Sequence, residues 1–147
     1  MTKQALYLAC LAYVQQRIQT ATTAMQAAQE SANSESKSSA GDKYETGRAM
    51  AQLERDRHAQ LLAEALKMQQ ELTHLDLTAA AWVRPGSLVC TAQGVFFVSI
   101  SAGRLVVDGH TYLAISPASP LAQALRGKRP GEEVVFNQIR YVVEAVE

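Results

Sequence analysis

Asn33-Ser-Glu-Ser-Lys-Ser-Ser-Ala-Gly-Asp-Lys-Tyr-Glu45 is the stretch whose reading decides the fold. It is polar, and its four serines and Gly41 favour a turn over a helix interior. Both flanks read as long helices. Residues 2 to about 31 hold no Gly and no Pro and are dominated by Ala, Gln and Leu, all good helix formers. Leu6, Cys10, Tyr13, Val14, Ile18, Ala21, Met25 and Ala28 recur in steps of three and four, which makes one helix face. That face is bulky near the N-terminus and rich in Ala and Thr later, and small residues let two helices come close. From Asp42 to about Leu75 a second run follows, with Met50, Leu53, Leu61, Leu62, Leu66, Met68, Leu72 and Leu75 as its apolar positions and Gly47 as a weak point. A short link between long helices makes them antiparallel neighbours. Each would be on the order of 40–50 Å long at about 1.5 Å per residue. Residues 1–77 are therefore expected to form an antiparallel coiled-coil hairpin whose tip, residues 33–45, projects into solvent.

Composition shifts at residues 78–84, which read as a linker, and Arg84-Pro85-Gly86 ends the helical regime. From residue 85 the apolar period drops to two. Leu88–Cys90, Val95–Ile100, Leu105–Val107, Tyr112–Ile115, Glu133–Phe136 and Arg140–Val146 read as strands. Gln93-Gly94, Ala102-Gly103 and Asp108-Gly109 read as tight turns between successive strands. Residues 119–126 form a short helix in this reading, with Ser119 as N-cap, Pro120 as first residue and Gly127 as C-cap. The expected architecture is α+β, with a helical hairpin followed by an antiparallel sheet and one short helix over residues 85–147. Trp82 and Val83 are expected to pack the two halves together.

The totals exclude several function classes. With 14 basic and 14 acidic residues among 147, the formal net charge is zero, which argues against a non-specific nucleic-acid binder. Sequence-specific DNA binding is not expected. No stretch approaches the roughly 20 apolar residues of a membrane span. The first residues lack the basic-then-apolar design of a secretion signal. Cys10 and Cys90 sit apart in apolar surroundings and read as buried thiols in a reducing compartment, so the chain is placed in the cytoplasm. No phosphate-binding glycine loop, Gly-x-Ser-x-Gly elbow or His-Glu-x-x-His motif occurs. His58, His74 and His110 are too scattered for a stand-alone metal site.

Two clusters could carry function. At the tip, Asp42 and Glu45 are three apart and share a face if both are helical, with Glu35, Lys37, Lys43 and Tyr44 beside them. Ser39-x-x-Asp42 and Asp42-x-x-Glu45 both read as capping pairs for a helix start. Two exposed carboxylates can also offer oxygens to Mg²⁺, and a cap can do both. The second cluster is Arg126-Gly-Lys128-Arg129-Pro-Gly131, either a solvated turn or a basic knob that meets an acidic partner surface.

The stretch Ile115-Ser-Pro-Ala-Ser-Pro-Leu-Ala-Gln-Ala-Leu-Arg-Gly-Lys128, continued by Pro130-Gly-Glu-Glu-Val134, resembles a segment of the bacterial GreA/GreB transcript-cleavage factors. That family carries Ile-Ser-x-x-Ser-Pro-Leu-Gly-x-Ala-Leu-Leu-Gly-Lys and a Gly-Asp-x-Val continuation. Pro85-Gly-Ser-Leu-Val89 resembles the start of the family's C-terminal lobe, and Gly41-Asp42-Lys-Tyr-Glu45 is similar to its tip motif Gly-Asp-x-x-Glu. The resemblance implies an FKBP-like C-terminal lobe and a partner, RNA polymerase. It implies that the coiled coil inserts into the secondary channel, while Ser119, Pro120 and Leu121, with Lys128 and Arg129 nearby, dock on the rim. Asp42 and Glu45 would help hold Mg²⁺ and position water in the polymerase's active site, near the RNA 3′ end, so that backtracked RNA is cleaved. The chain would be an accessory factor, not an enzyme, with no tightly bound cofactor of its own. Three other readings compete with this one: a regulator that occupies the channel without stimulating cleavage, a coiled-coil adaptor for another protein, and a peptidyl-prolyl isomerase, whose proline pocket these aromatic-poor strands would line badly.

Overall fold

In a computed structural model the described residues are 2–37 and 42–147, and the side chains of 35–37 and 42–45 lie outside the description. Two long helices come first, α1 (Thr2–Lys37) and α2 (Asp42–Thr73). At about 1.5 Å per residue they are roughly 54 and 48 Å long. The first helix runs about six residues past its expected end, into the serine-rich stretch. Ala32 is buried there, and Gln29 donates one turn onward to Asn33 Oδ1 at 3.2 Å. A buried contact and an i,i+4 side-chain bond outweigh the weak preference of Asn and Ser for turns.

The Tyr7 hydroxyl donates to the Leu72 carbonyl at 3.3 Å, and Arg55 donates to Gln29 Oε1 at 3.1 Å. Positions rise on α1 as they fall on α2, so the helices are antiparallel. The seam differs from the expected one. Met50, Leu53, Leu61 and Leu66 are exposed, while Ala51 and Ala65 on α2 and Ala21 and Ala32 on α1 are buried. Ala51, Ala65 and Leu72 lie fourteen and seven positions apart, multiples of the coiled-coil heptad. Of the expected seam residues, Leu72 is on that repeat and buried, while Met50, Leu53 and Leu66 are off it and exposed.

The chain divides into two compact units, residues 14–69 and residues 1–13 with 70–147. The second unit contains a six-stranded sheet of β1 (Leu88–Thr91), β2 (Gly94–Val98), β3 (Gly103–Val107), β4 (His110–Ile115), β5 (Glu133–Phe136) and β6 (Ile139–Val146), in the order β3-β4-β2-β1-β6-β5. A short helix, α3 (Pro120–Leu125), lies between β4 and β5 in sequence. Four of the strand pairs are antiparallel, as expected, but β2 and β4 pair in parallel. Ala102-Gly103 therefore does not close a hairpin. After β2 the chain leaves the sheet through Ser99, Ile100 and Ala102, all buried, and the β3–β4 hairpin returns with β4 against β2. Ile100 is fully buried on that excursion, a non-local placement that a turn dipeptide does not encode.

Phe96 and Phe97 are adjacent on β2 and both buried, so both faces of the sheet are covered. On one face Phe96 joins Val83, Val89, Val98, Leu125, Tyr141 and Val143, and its ring meets Tyr141 edge-on at 5.9 Å. Elsewhere in this unit Leu6, Cys10 and Leu72 from the helices are fully buried, and Cys10 Sγ lies 3.7 Å from Ser99 Oγ.

The exit from α2 is held by backbone. The Thr78 N–H donates to Asp76 Oδ1 at 2.9 Å, and Arg84 donates to the Thr78 carbonyl at 2.8 Å while its guanidinium lies 3.6 Å from Asp76 Oδ2. Gly86, at φ +95°, donates to the Val98 carbonyl and lies so close to Asp76 that a Cβ there would sit 1.8 Å from the Asp76 carbonyl oxygen.

Gly86→Ala is expected to lower stability in urea unfolding by at least about 3 kcal/mol, from the left-handed strain and the backbone collision together. Gly109→Asn, at a turn with open space around it, should cost little. A small loss for Gly86→Ala would show that the contact is not tight. The hydrogen bonds from Thr78, followed by the Arg84 charge, hold the Asp76 carboxyl below its ordinary value. A lowered folded pKa gives stability that is present above the unfolded value of about 3.9 and lost as pH falls through the folded value. Asp76→Asn should remove that part of the acid limb in a pH series of melting temperatures.

Candidate functional site

The segment 116–132 in the sheet unit is built from caps. Ser119 sits at extended φ/ψ, and its Oγ accepts from the Ala122 N–H at 3.2 Å; Pro120, with its fixed φ, opens α3. Ser116 Oγ accepts from the Ala118 N–H in the same way one turn earlier. Ala122 and Leu125 are buried and Leu121 packs against the core, which leaves Pro120 and Gln123 exposed. Arg126 is the C-cap, and Gly127 follows it at φ +79°.

The chain is then clamped to residue 83. Gly127 donates to the Val83 carbonyl at 2.8 Å, and Val83 donates to the Lys128 carbonyl at 2.9 Å. This double bond of backbones places Trp82 next to Arg129, whose guanidinium carbon lies 5.6 Å from the indole centroid. Trp82 is 44% exposed, so the expectation that it packs the two halves together is corrected: Val83 goes into the sheet core and Trp82 faces out beneath Arg129. The knob is stiffened by a reciprocal turn. The Arg129 N–H donates to Glu132 Oε1 at 2.8 Å, and the Glu132 N–H donates to the Arg129 carbonyl at 3.0 Å.

The five expected docking residues therefore lie in one segment with unequal duties. Pro120 and Arg129 are exposed and Lys128 is half-buried. The Ser119 hydroxyl is committed to its cap and Leu121 to the core. Trp82 is the residue that sequence reasoning missed, because its link to Arg129 spans 47 positions and no spacing rule connects them. Arg129 over an exposed indole, with Arg126 and Lys128 in the same segment, suits a partner that is acidic with an apolar contact.

The tip residues belong to the other unit. α2 begins at Asp42, and Glu45 lies in its first turn, with Lys43 and Tyr44 between them; Glu35 and Lys37 close α1. Residues 38–41 and the side chains of 35–45 lie outside the described residues. The free N–H groups and positive dipole end of a helix start favour carboxylates there.

Among the described residues no group of three or more His, Cys, Asp or Glu could hold a metal ion. His58 faces Glu54 at 3.5 Å, and His74 Nδ1 lies 2.9 Å from the Gln70 carbonyl. Burial raises the pKa of both Cys10 and Cys90, so neither thiol is an activated nucleophile.

No family model and no curated protein matches the chain. Solved structures do. GreA factor homolog 1 (Gfh1) of Thermus thermophilus is 22% identical in an alignment covering 96% of this chain and 94% of that one, with a TM-score of 0.36. A structure of the transcription factor Gfh1 is 21% identical, covers 96% of this chain and 92% of that one, and has a TM-score of 0.35. The fold described above rests on the chain's own elements.

Ser119→Ala should lower stability by about 1 kcal/mol through loss of the cap, and Ser119→Asp should retain most of it. Urea midpoints of the two variants check this, and equal midpoints would show that the cap does not matter.

Proposed function

We propose that this chain is a Gre-type transcription elongation factor that binds RNA polymerase, inserts the end of its helical hairpin into the secondary channel and stimulates cleavage of backtracked RNA. The observation that carries this reading is the start of α2 at Asp42, which puts Asp42 and Glu45 in the first turn of a helix about 48 Å long. The buried alanines of α1 and α2 support it, since a seam of small side chains makes a slender probe. Met50 and Leu53, two to three turns from Asp42, are 63% and 68% exposed, and an apolar strip left open there supports cover by a protein wall.

Asp42 and Glu45 would each lend a carboxylate oxygen to a Mg²⁺ whose remaining ligands belong to the polymerase. Bound there, the ion supplies charge stabilisation for phosphodiester hydrolysis. Two carboxylates at a helix start make too few ligands for tight binding by the free chain, so the site is completed only in the complex. Glu35, Lys37, Lys43 and Tyr44 would frame the acids. Pro120, Lys128, Arg129 and Trp82 would meet an acidic rim, with Ser119 and Leu121 holding the segment in shape. The chain would act as an accessory factor in the cytoplasm, where its polymerase is. Among the described residues no helix is long and apolar enough to cross a membrane.

RNA cleavage in a stalled, backtracked polymerase complex tests the reading. The chain is expected to accelerate cleavage, and Asp42→Ala or Glu45→Ala to cut that acceleration by on the order of 100-fold while polymerase binding persists. Binding with slowed elongation and no cleavage would make the chain a channel-occupying regulator instead. Failure to retain polymerase would favour the adaptor reading.

A further inference from the structure

β3 is an outer strand of the sheet, and Arg104, Val106 and the following Asp108 are exposed along it, Val106 to 60%. Asp108 at φ 52° and Gly109 at φ 76° form a two-residue turn that closes on the pair Val107 and His110. In such a hairpin the closing pair exchanges both backbone hydrogen bonds, and bonded pairs then alternate along the ladder. Val107, Leu105 and Gly103 thus direct their N–H and C=O groups to β4, while Arg104 and Val106 direct theirs outward.

We propose that this edge pairs with the same edge of a second copy of the chain, antiparallel about a two-fold axis at Val106. Only registers that oppose outward residues to outward residues can form bonds. Arg104 opposite Arg104 sets like charges together. Arg104 opposite Val106 leaves both the charge and the valine poorly matched. Val106 opposite Val106 buries the exposed valines against each other and sets each Arg104 opposite an Asp108 of the other copy. The arrangement is self-complementary and continues the sheet across two chains. The far edge, β5, offers no such match: Glu133 is already paired with Arg140, and the residue that would face it in the equivalent register is Asn137.

An edge of this length buries less than the ~1,600 Å² of a standard stable interface, so the association is weak and depends on concentration and salt. Sedimentation velocity and amide NMR from about 10 μM to about 1 mM test it. The weight-average mass should climb towards the dimer, and shift changes should centre on residues 104–108. Val106→Pro removes an outward N–H but no bond to β4, and Arg104→Glu sets two acids face to face. Each should weaken association at least tenfold, with circular dichroism unchanged. If Val106→Pro fails to fold, Arg104→Glu, a side-chain change at an exposed site, decides alone. A monomer throughout the range, shift changes centred elsewhere, or association that Arg104→Glu leaves intact would overturn the proposal.

Discussion

The sheet unit depends on one close approach of backbones, Gly86 against the carbonyl of Asp76. Any side chain at position 86 would occupy the carbonyl's place, so the chain needs glycine there for space as well as for its positive φ. The approach fixes how the end of α2 leads into β1. Asp76 and Arg84 grip Thr78 between them, and Gly86 bonds to Val98. The segment 76–86 is thereby tied at both ends, and the buried Val83 it carries anchors the loop after α3. The basic knob inherits its shape from that chain of contacts.

Local features were legible in the sequence because local chemistry determines them. Ser119 and Pro120 mark a helix start wherever they stand before an apolar run, and Asp108-Gly109 marks a tight turn because few residue pairs adopt positive φ so readily. Non-local features were not legible. The parallel pairing of β2 with β4 is a long-range choice that no turn dipeptide records, and Ile100 between β2 and β3 is buried. Met50 and Leu53 carry the hydrophobicity of a seam but not its phase, whereas Ala51 has the phase. Trp82 meets Arg129 only because residue 83 pairs with residues 127 and 128. Of the candidate site, the segment 115–134 was singled out by its motif. The tip acids were proposed from their spacing and their resemblance to a family motif, and the structure adds only that α2 opens at Asp42.

The two clusters divide the labour that the proposal requires. A basic surface with an exposed indole would give recognition, because charges steer an encounter and an aromatic ring supplies contact area. A pair of carboxylates at a helix start gives little binding energy by itself, and under the proposal its value would lie in placing negative charge where another molecule needs it. The balanced net charge fits that division, since a broad basic surplus would favour nucleic acid over one protein surface.

Where the hairpin end goes is the central question, and a tethered cleavage reagent answers it most directly. Ser39→Cys, labelled with an iron chelate in a Cys10→Ala, Cys90→Ala background, should release short-lived hydroxyl radicals that cut only the polymerase chains lying beside the label. The account predicts cuts in the active-centre segments of the polymerase and in the RNA 3′ end. Cuts confined to the outer surface of the polymerase, or none above background in a complex that has formed, would contradict it.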